Sequence, residues 1–97
     1  MSNDSNDLAD SNILSSLAAY DAMLGLSSGQ TARWEDLLLK IIEGTLTHVV
    51  MEAAGRAEGY ALGLRDAGVI TGIQSNRMAC VAIAVAADKI QRLPDDA

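Results

Sequence analysis

Apolar residues recur along this chain at helical spacing. Ile13, Leu17, Tyr20 and Leu24 follow one another at intervals of 4, 3 and 4, one face of an amphipathic helix. Asp10 or Ser11 supplies its N-cap. It stops near Leu26, with Ser27-Ser28-Gly29-Gln30 as the following turn. Thr31 then caps a second helix, and Glu35 and Asp36 fall in its first turn, where the helix dipole favours negative charge.

From Trp34 to Leu64 the apolar spacing runs on without a clear stop. A single straight helix over residues 31–67 would be about 55 Å long, against a radius of gyration of about 12–13 Å for a compact domain of this size. The apolar positions also change direction. Trp34, Leu37, Leu38, Ile41 and Ile42 share one side; Leu46, Val49, Ala53, Ala57, Tyr60 and Leu64 share another, roughly a quarter-turn away. The change falls at Gly44, beside the weaker helix formers Thr45 and Thr47. The pattern therefore predicts a kink or short break at Gly44, dividing a helix over 32–43 from one over 45–67.

The end of that third helix is marked by Gly68, placed where a left-handed C′ residue is expected, with Val69 able to fold back on Leu64 or Arg65. Thr71-Gly72-Ile73-Gln74 matches a capping box, Thr71 at N-cap and Gln74 at N3. A last helix over 72–92 follows, and Pro94 bars its continuation. The expected fold is all-α: a small bundle of three to four helices ending in an αα-hairpin, 45–67 and 72–92. Residues 11–93 form one domain between an acidic tail at 1–10 and a short acidic tail at 94–97.

Inside the third helix lies the ridge Gly55-x-x-x-Gly59-x-x-x-Gly63. Three glycines one turn apart expose the helix backbone on one face, and each costs about 1 kcal/mol of propensity relative to alanine. Close packing against that face is the natural reason. The ridge lies roughly 130° around the helix from its large apolar stripe and shares its side with Glu52 and Arg56, an i,i+4 pair of favourable polarity. On the last helix Ala79, Ala82, Ile83, Ala86, Ile90 and Leu93 mark the expected core face. Met78, Val81 and Val85 fall on the opposite side among Arg77, Asp88 and Arg92. A central, largely buried helix, a homodimer seam and a surface for a foreign partner all fit that arrangement. The candidate interface is thus Glu52, Gly55, Arg56, Gly59, Gly63, Met78, Val81 and Val85.

Composition narrows the function. The 97 residues carry a net charge of −6, which disfavours nonspecific nucleic-acid or anionic-membrane binding. Hydrophobic residues reach 49% but aromatics only 3%, so Leu, Ile, Val, Met and Ala must build the core. The charges along the third helix rule out a membrane reading of its glycines. The longest apolar run, residues 78–87, is half the length that spans a bilayer. No signal segment opens the chain, and a cytoplasmic protein is expected.

The search for chemistry finds little. His48 is the lone histidine; Glu52, four residues later, is close enough for a structural contact, and no Glu-x-x-His pair completes a metal set. Cys80, the lone cysteine, sits in an apolar run and reads as a buried small hydrophobe. The Asp and Asn residues of 1–10 lack the glycine and terminal glutamate of a calcium loop. The glycines lack a strand before them and the Gly-Lys-Ser/Thr ending of a phosphate loop. No catalytic residue, metal or cofactor is expected.

The segments Ala18-Ala19-Tyr20-Asp21-Ala22-Met23-Leu24, Ser28-Gly29-Gln30-Thr31 and Trp34-Glu35-Asp36-Leu37-Leu38, with the later Ala67-Gly68-Val69-Ile70-Thr71 turn, resemble the layout of small helical accessory proteins of phages and prophages. The resemblance covers about residues 13–75 and carries over no site residue. It implies a non-enzymatic protein that binds and redirects a bacterial host protein, anti-defence inhibitors such as anti-CRISPR proteins being one class. The expected function is an acidic protein–protein interaction module, homodimeric, with a host protein as further partner. The alternatives are a self-assembling scaffold subunit, and an oligomer that sequesters a small ligand such as a nucleotide beside Arg56.

Overall fold

The computed structural model describes residues 25–97. The helix expected from Ile13 to Leu24 and the tail at 1–10 lie outside the described residues. Among those described the chain is all-helical: α1 (Ser28–Glu43), α2 (Thr47–Asp66) and α3 (Gly72–Arg92).

The start of α1 corrects the expectation at Thr31. Ser27 is the N-cap, its Oγ accepting from the Gln30 N–H at 3.1 Å while the Ser27 N–H donates to Gln30 Oε1 at 2.9 Å. This capping box satisfies two groups at once, whereas a Thr31 cap would satisfy one and leave the Ser27–Gln30 turn outside the helix. Glu35 and Asp36 consequently sit beyond the first turn, which holds no acidic residue.

The break at Gly44 is present. Gly44 is extended, with φ −62° and ψ 136°, and α2 begins three residues later at Thr47 with Leu46 as an N-cap that offers no side-chain hydrogen bond. One of the free N–H groups there, that of Thr47, donates to the Ala97 carbonyl at 3.4 Å. Gly44 is required by its surroundings: a Cβ built on it would stand 2.7 Å from Cγ2 of Val50, a side chain with no solvent exposure.

The five-residue turn 67–71 follows the local signals closely. Gly68 has φ +77°, the Val69 N–H donates to the Leu64 carbonyl and the Gly68 N–H to that of Arg65, each at 2.9 Å. These are the 6→1 and 5→2 bonds of a Schellman motif. Thr71 Oγ1 accepts from the Gln74 N–H at 3.1 Å, and the Thr71 N–H donates to Gln74 Oε1 at 2.8 Å, so α3 starts on the expected capping box.

Each helix runs antiparallel to the one before it. Tyr60 near the end of α2 donates its hydroxyl proton to the Gln30 carbonyl at the start of α1, at 3.3 Å, while Val50 meets the Gly44 corner. Ser75, buried in the first turn of α3, donates to the Ala61 carbonyl at 3.1 Å, while Met51 and Ala54 lie beside Ala86 and Ile90. The core takes Trp34, Leu37, Leu38 and Ile41 from α1, and Val50, Ala53, Ala54, Ala57, Ala61 and Leu64 from α2. Ile70 of the turn and Met78, Ala82 and Ala86 of α3 complete it.

The face of α3 differs from expectation. Its buried residues are Ser75, Met78, Ala82 and Ala86, an arc turned roughly an eighth of a turn from the one drawn through Ala79, Ala82, Ile83, Ala86, Ile90 and Leu93, so that Ala82 and Ala86 are shared. Met78 is fully buried, Val81 and Val85 are half-buried against the core, and Ile83 is 53% exposed. The long Met78 side chain fills the interior more completely than a neighbouring alanine can, which rotates the helix toward it.

Two substitutions test this framework by urea unfolding. Gly44→Ala should destabilise the fold by about 1–3 kcal/mol, the usual penalty of overpacking a filled site. Gly68→Ala should remove about 1–2 kcal/mol, because alanine resists the left-handed conformation of the C′ position.

Candidate functional site

α2 has two faces of small residues. Alanines 53, 54, 57 and 61 turn inward, and glycines 55, 59 and 63 turn outward. At about 100° per residue, Gly59 stands about 180° from the mean direction of the buried residues, with Gly55 and Gly63 about 40° to either side. The expected offset of roughly 130° was too small. It followed the large residues Leu46 and Val49, which remain partly exposed, whereas the alanines make the buried face.

Nothing in the described chain lies within 4 Å of where a Cβ would stand at Gly55, Gly59 or Gly63. Neither α1 nor α3 covers the ridge. Around it on the exposed face of α2 are His48, Glu52 and Arg56, together with two large apolar side chains, Met51 at 61% and Leu62 at 45% exposure. Met51 also lines an open groove of about 280 Å³ between α2 and α3, whose walls are Ala54, Glu58, Ile83, Ala86, Ala87 and Ile90. Glu58 is the single charged residue in that groove.

The expected pairs on this face do not form. Glu52 makes no ion pair with Arg56 and no contact of hydrogen-bond or ion-pair length with His48 among the described residues. Beside glycines, neither side chain has a neighbour to lean on, and an exposed i,i+4 pair contributes only about 0.3–0.5 kcal/mol against the entropy of holding it. The ion pairs that do form, such as Arg33–Asp36 at 3.7 Å and Arg92–Asp88 at 3.1 Å, lie on other surfaces.

The eight candidate interface residues therefore separate. Glu52, Gly55, Arg56, Gly59 and Gly63 come together on the outer face of α2. Met78 is a core residue and leaves the set, and Val81 and Val85 are half-buried where they pack on the core. The exposed apolar residue that α3 places nearest α2's open side is Ile83, which spacing alone assigned to the core.

Cys80 is exposed, contrary to its reading as a buried hydrophobe. It lies about 200° around α3 from both Met78 and Ala82, which places it on the far side from the core. Among the described residues no group of three or more His, Cys, Asp or Glu could hold a metal ion, and no helix is long and apolar enough to cross a membrane. No protein-family model, curated protein or solved structure matches the chain.

The uncovered ridge makes a direct forecast. Gly55→Ala and Gly63→Ala should each raise the unfolding free energy of the dilute protein by about 0.5–1 kcal/mol, since alanine gains helix propensity and meets no atom. Cys80 should react stoichiometrically with a thiol reagent under native conditions; protection until unfolding would contradict its placement.

Proposed function

We propose that this chain is a non-catalytic interaction module that works by presenting the outer face of α2 to another protein, in the first instance a second copy of itself. One observation carries the reading: three glycines stand in register on an exposed helix face, uncovered by the described chain and flanked by exposed Met51 and Leu62. Left facing water, those glycines weaken α2 by about 1 kcal/mol each. Against a second helix, the same positions permit close backbone approach, and burial of the flanking side chains returns about 25 cal/mol per Å² of apolar surface removed from water. The frame for this role is a small bundle of three to four helices whose last two form an αα-hairpin, leaving α2 as an outward corner.

The net charge of −6 supports a protein partner over a nucleic acid or an anionic membrane. Together with the resemblance to phage and prophage accessory proteins, it suggests a phage-encoded inhibitor or adaptor that binds a bacterial host protein in the cytoplasm, of the anti-defence type and including anti-CRISPR proteins. A self-assembling scaffold subunit is the second reading, favoured by the same self-complementary ridge. Sequestration of a small ligand such as a nucleotide, between copies and beside Arg56, is the third reading.

Light scattering across micromolar concentrations should find a dimer for the wild type and a monomer for Gly59→Leu. A Cβ at Gly59 meets no atom of the described chain, so the variant should keep the helical circular dichroism of the wild type. A wild type that stays monomeric throughout would reject self-association. Restored plating of a CRISPR-targeted phage on cells making this chain would support the inhibitor reading, and unchanged plating would leave the scaffold reading in its place.

A further inference from the structure

A furrow between α1 and α2 opens beside the point where the described chain begins. We infer that residues 13–24 dock along this furrow as a helix antiparallel to α1, with Leu14 closing over Val49 and Asp21 pairing with Arg56. The inference stands independently of the self-association reading above.

The furrow follows from the helix wheels. On α2, Met51 and Glu58, which wall the groove toward α3, lie about 90–110° to one side of the mean buried direction. Tyr60, Val49 and Arg56 lie about 70°, 90° and 110° to the other side. That is the side of α1, whose Gln30 carbonyl accepts from the Tyr60 hydroxyl. Since α1 runs antiparallel to α2, its flank of the same angular sense forms the facing wall. Arg33 and Lys40 stand there, about 90° and 110° from the buried direction of α1, with Leu37 buried at the floor. Val49 remains 37% exposed, and Leu46 at the start of α2 43%. Both belong to the apolar stripe that spacing marks for burial, and α1 leaves them uncovered. Arg33 and Lys40 have partners in Asp36 and Glu43. Arg56 has no ion pair or hydrogen bond among the described residues.

Position and charge commit the furrow to the chain's own N-terminal segment. Gly25 has φ +78°, Leu26 packs half-buried on the core, and Ser27 caps α1. Gly25 is thus in the conformation of a C′ glycine, and so short a connection returns a helix ending at Leu24 antiparallel along α1. Leu24 then stands beside Ser28. Because Gln30 is level with Tyr60, Asp21 falls near Gly59 and Leu14 near Glu52, within one turn of Arg56 and Val49 respectively. Residues 1–24 carry Asp4, Asp7, Asp10 and Asp21 and no Lys or Arg, whereas the furrow walls carry Arg33, Lys40 and Arg56. Complementary charge of this kind fixes register.

The other sides of the bundle fit less well. With Ile13, Leu17, Tyr20 and Leu24 turned inward, Leu14 and Asp21 lie about 70–90° to one side of that face. In the α1–α2 furrow this side meets α2, where Val49 and Arg56 are. Between α1 and α3 it would meet α1 instead and bring Asp21 to the flank that carries Glu35, while Val81 and Val85 there already pack on the core. The groove between α2 and α3 lies across the hairpin from α1. Residues 24–28 span at most about 13–14 Å and do not pass round it. With the segment docked, Arg56 belongs to the fold, and the outer face of α2 is left to the glycines with Glu52 and His48.

Disulfide trapping and amide exchange test the docking. In a Cys80→Ser background, Leu14→Cys with Val49→Cys should form an intramolecular bond on mild oxidation of dilute protein, and Leu14→Cys with Ile83→Cys should not. Absence of the first bond, presence of the second, or a Val49 bond found only between chains overturns the inference. Amides of residues 13–24 should exchange at least about tenfold more slowly than in an unstructured peptide. Val49→Asp should abolish that protection while the amides of α3 stay protected, the sign that the bundle still folds. Arg56→Asp should reduce it about two- to fivefold, and adding Asp21→Arg should recover the loss. Unprotected amides in the wild type overturn the docking, and indifference to Arg56→Asp overturns the ion pair within it.

Discussion

The packing of large α1 side chains against the alanine face of α2 is the interaction on which the rest depends. Trp34, Leu38 and Ile41 are almost wholly removed from water, and the surface that receives them includes Ala53, Ala57 and Ala61. Alanine offers little bulk and loses no rotamer freedom, so neighbouring helices can come close without strain. Burying an aromatic of tryptophan's size removes roughly 150–250 Å² of surface, worth about 4–6 kcal/mol at 25 cal/mol per Å². With only one tryptophan and no phenylalanine in the chain, no other residue could replace that contribution.

Close approach then dictates the polar details. Where α3 begins on α2, Ser75 is buried, and it turns its hydroxyl onto the Ala61 carbonyl. The Gly44 corner is a similar case: Val50 occupies the volume a Cβ would need, so the chain must carry glycine there to turn from α1 into α2. Both features follow from helix proximity. Neither is visible in the local sequence. Ser75 reads as one more polar residue, and Gly44 reads as a weak point in helix propensity even though its break was correctly located.

Features decided within a few residues were legible. The Gly68 C′ position and the Thr71–Gln74 capping box depend on backbone geometry that adjacent side chains control, and the turn formed as its sequence indicates. The same chemistry at Ser27–Gln30 was obscured because Thr31, another residue that caps helices, follows directly after Gln30. Helix orientation was less legible. α3 is so rich in alanine and valine that several faces look alike, and the fully buried Met78 distinguishes them only after the neighbouring helices are in place. The glycine ridge was plain from its spacing, but its distance from the core depended on recognising that α2 buries alanines and leaves Leu46 and Val49 partly exposed.

The seclusion of Trp34 separates two kinds of signal. The indole is 1% exposed and sits across the core from the outer face of α2. Its emission therefore reports the apolar interior and shifts when that interior is hydrated, while events on the glycine ridge leave it unchanged. The protein thus carries an internal optical probe of folding that is insulated from its own surface.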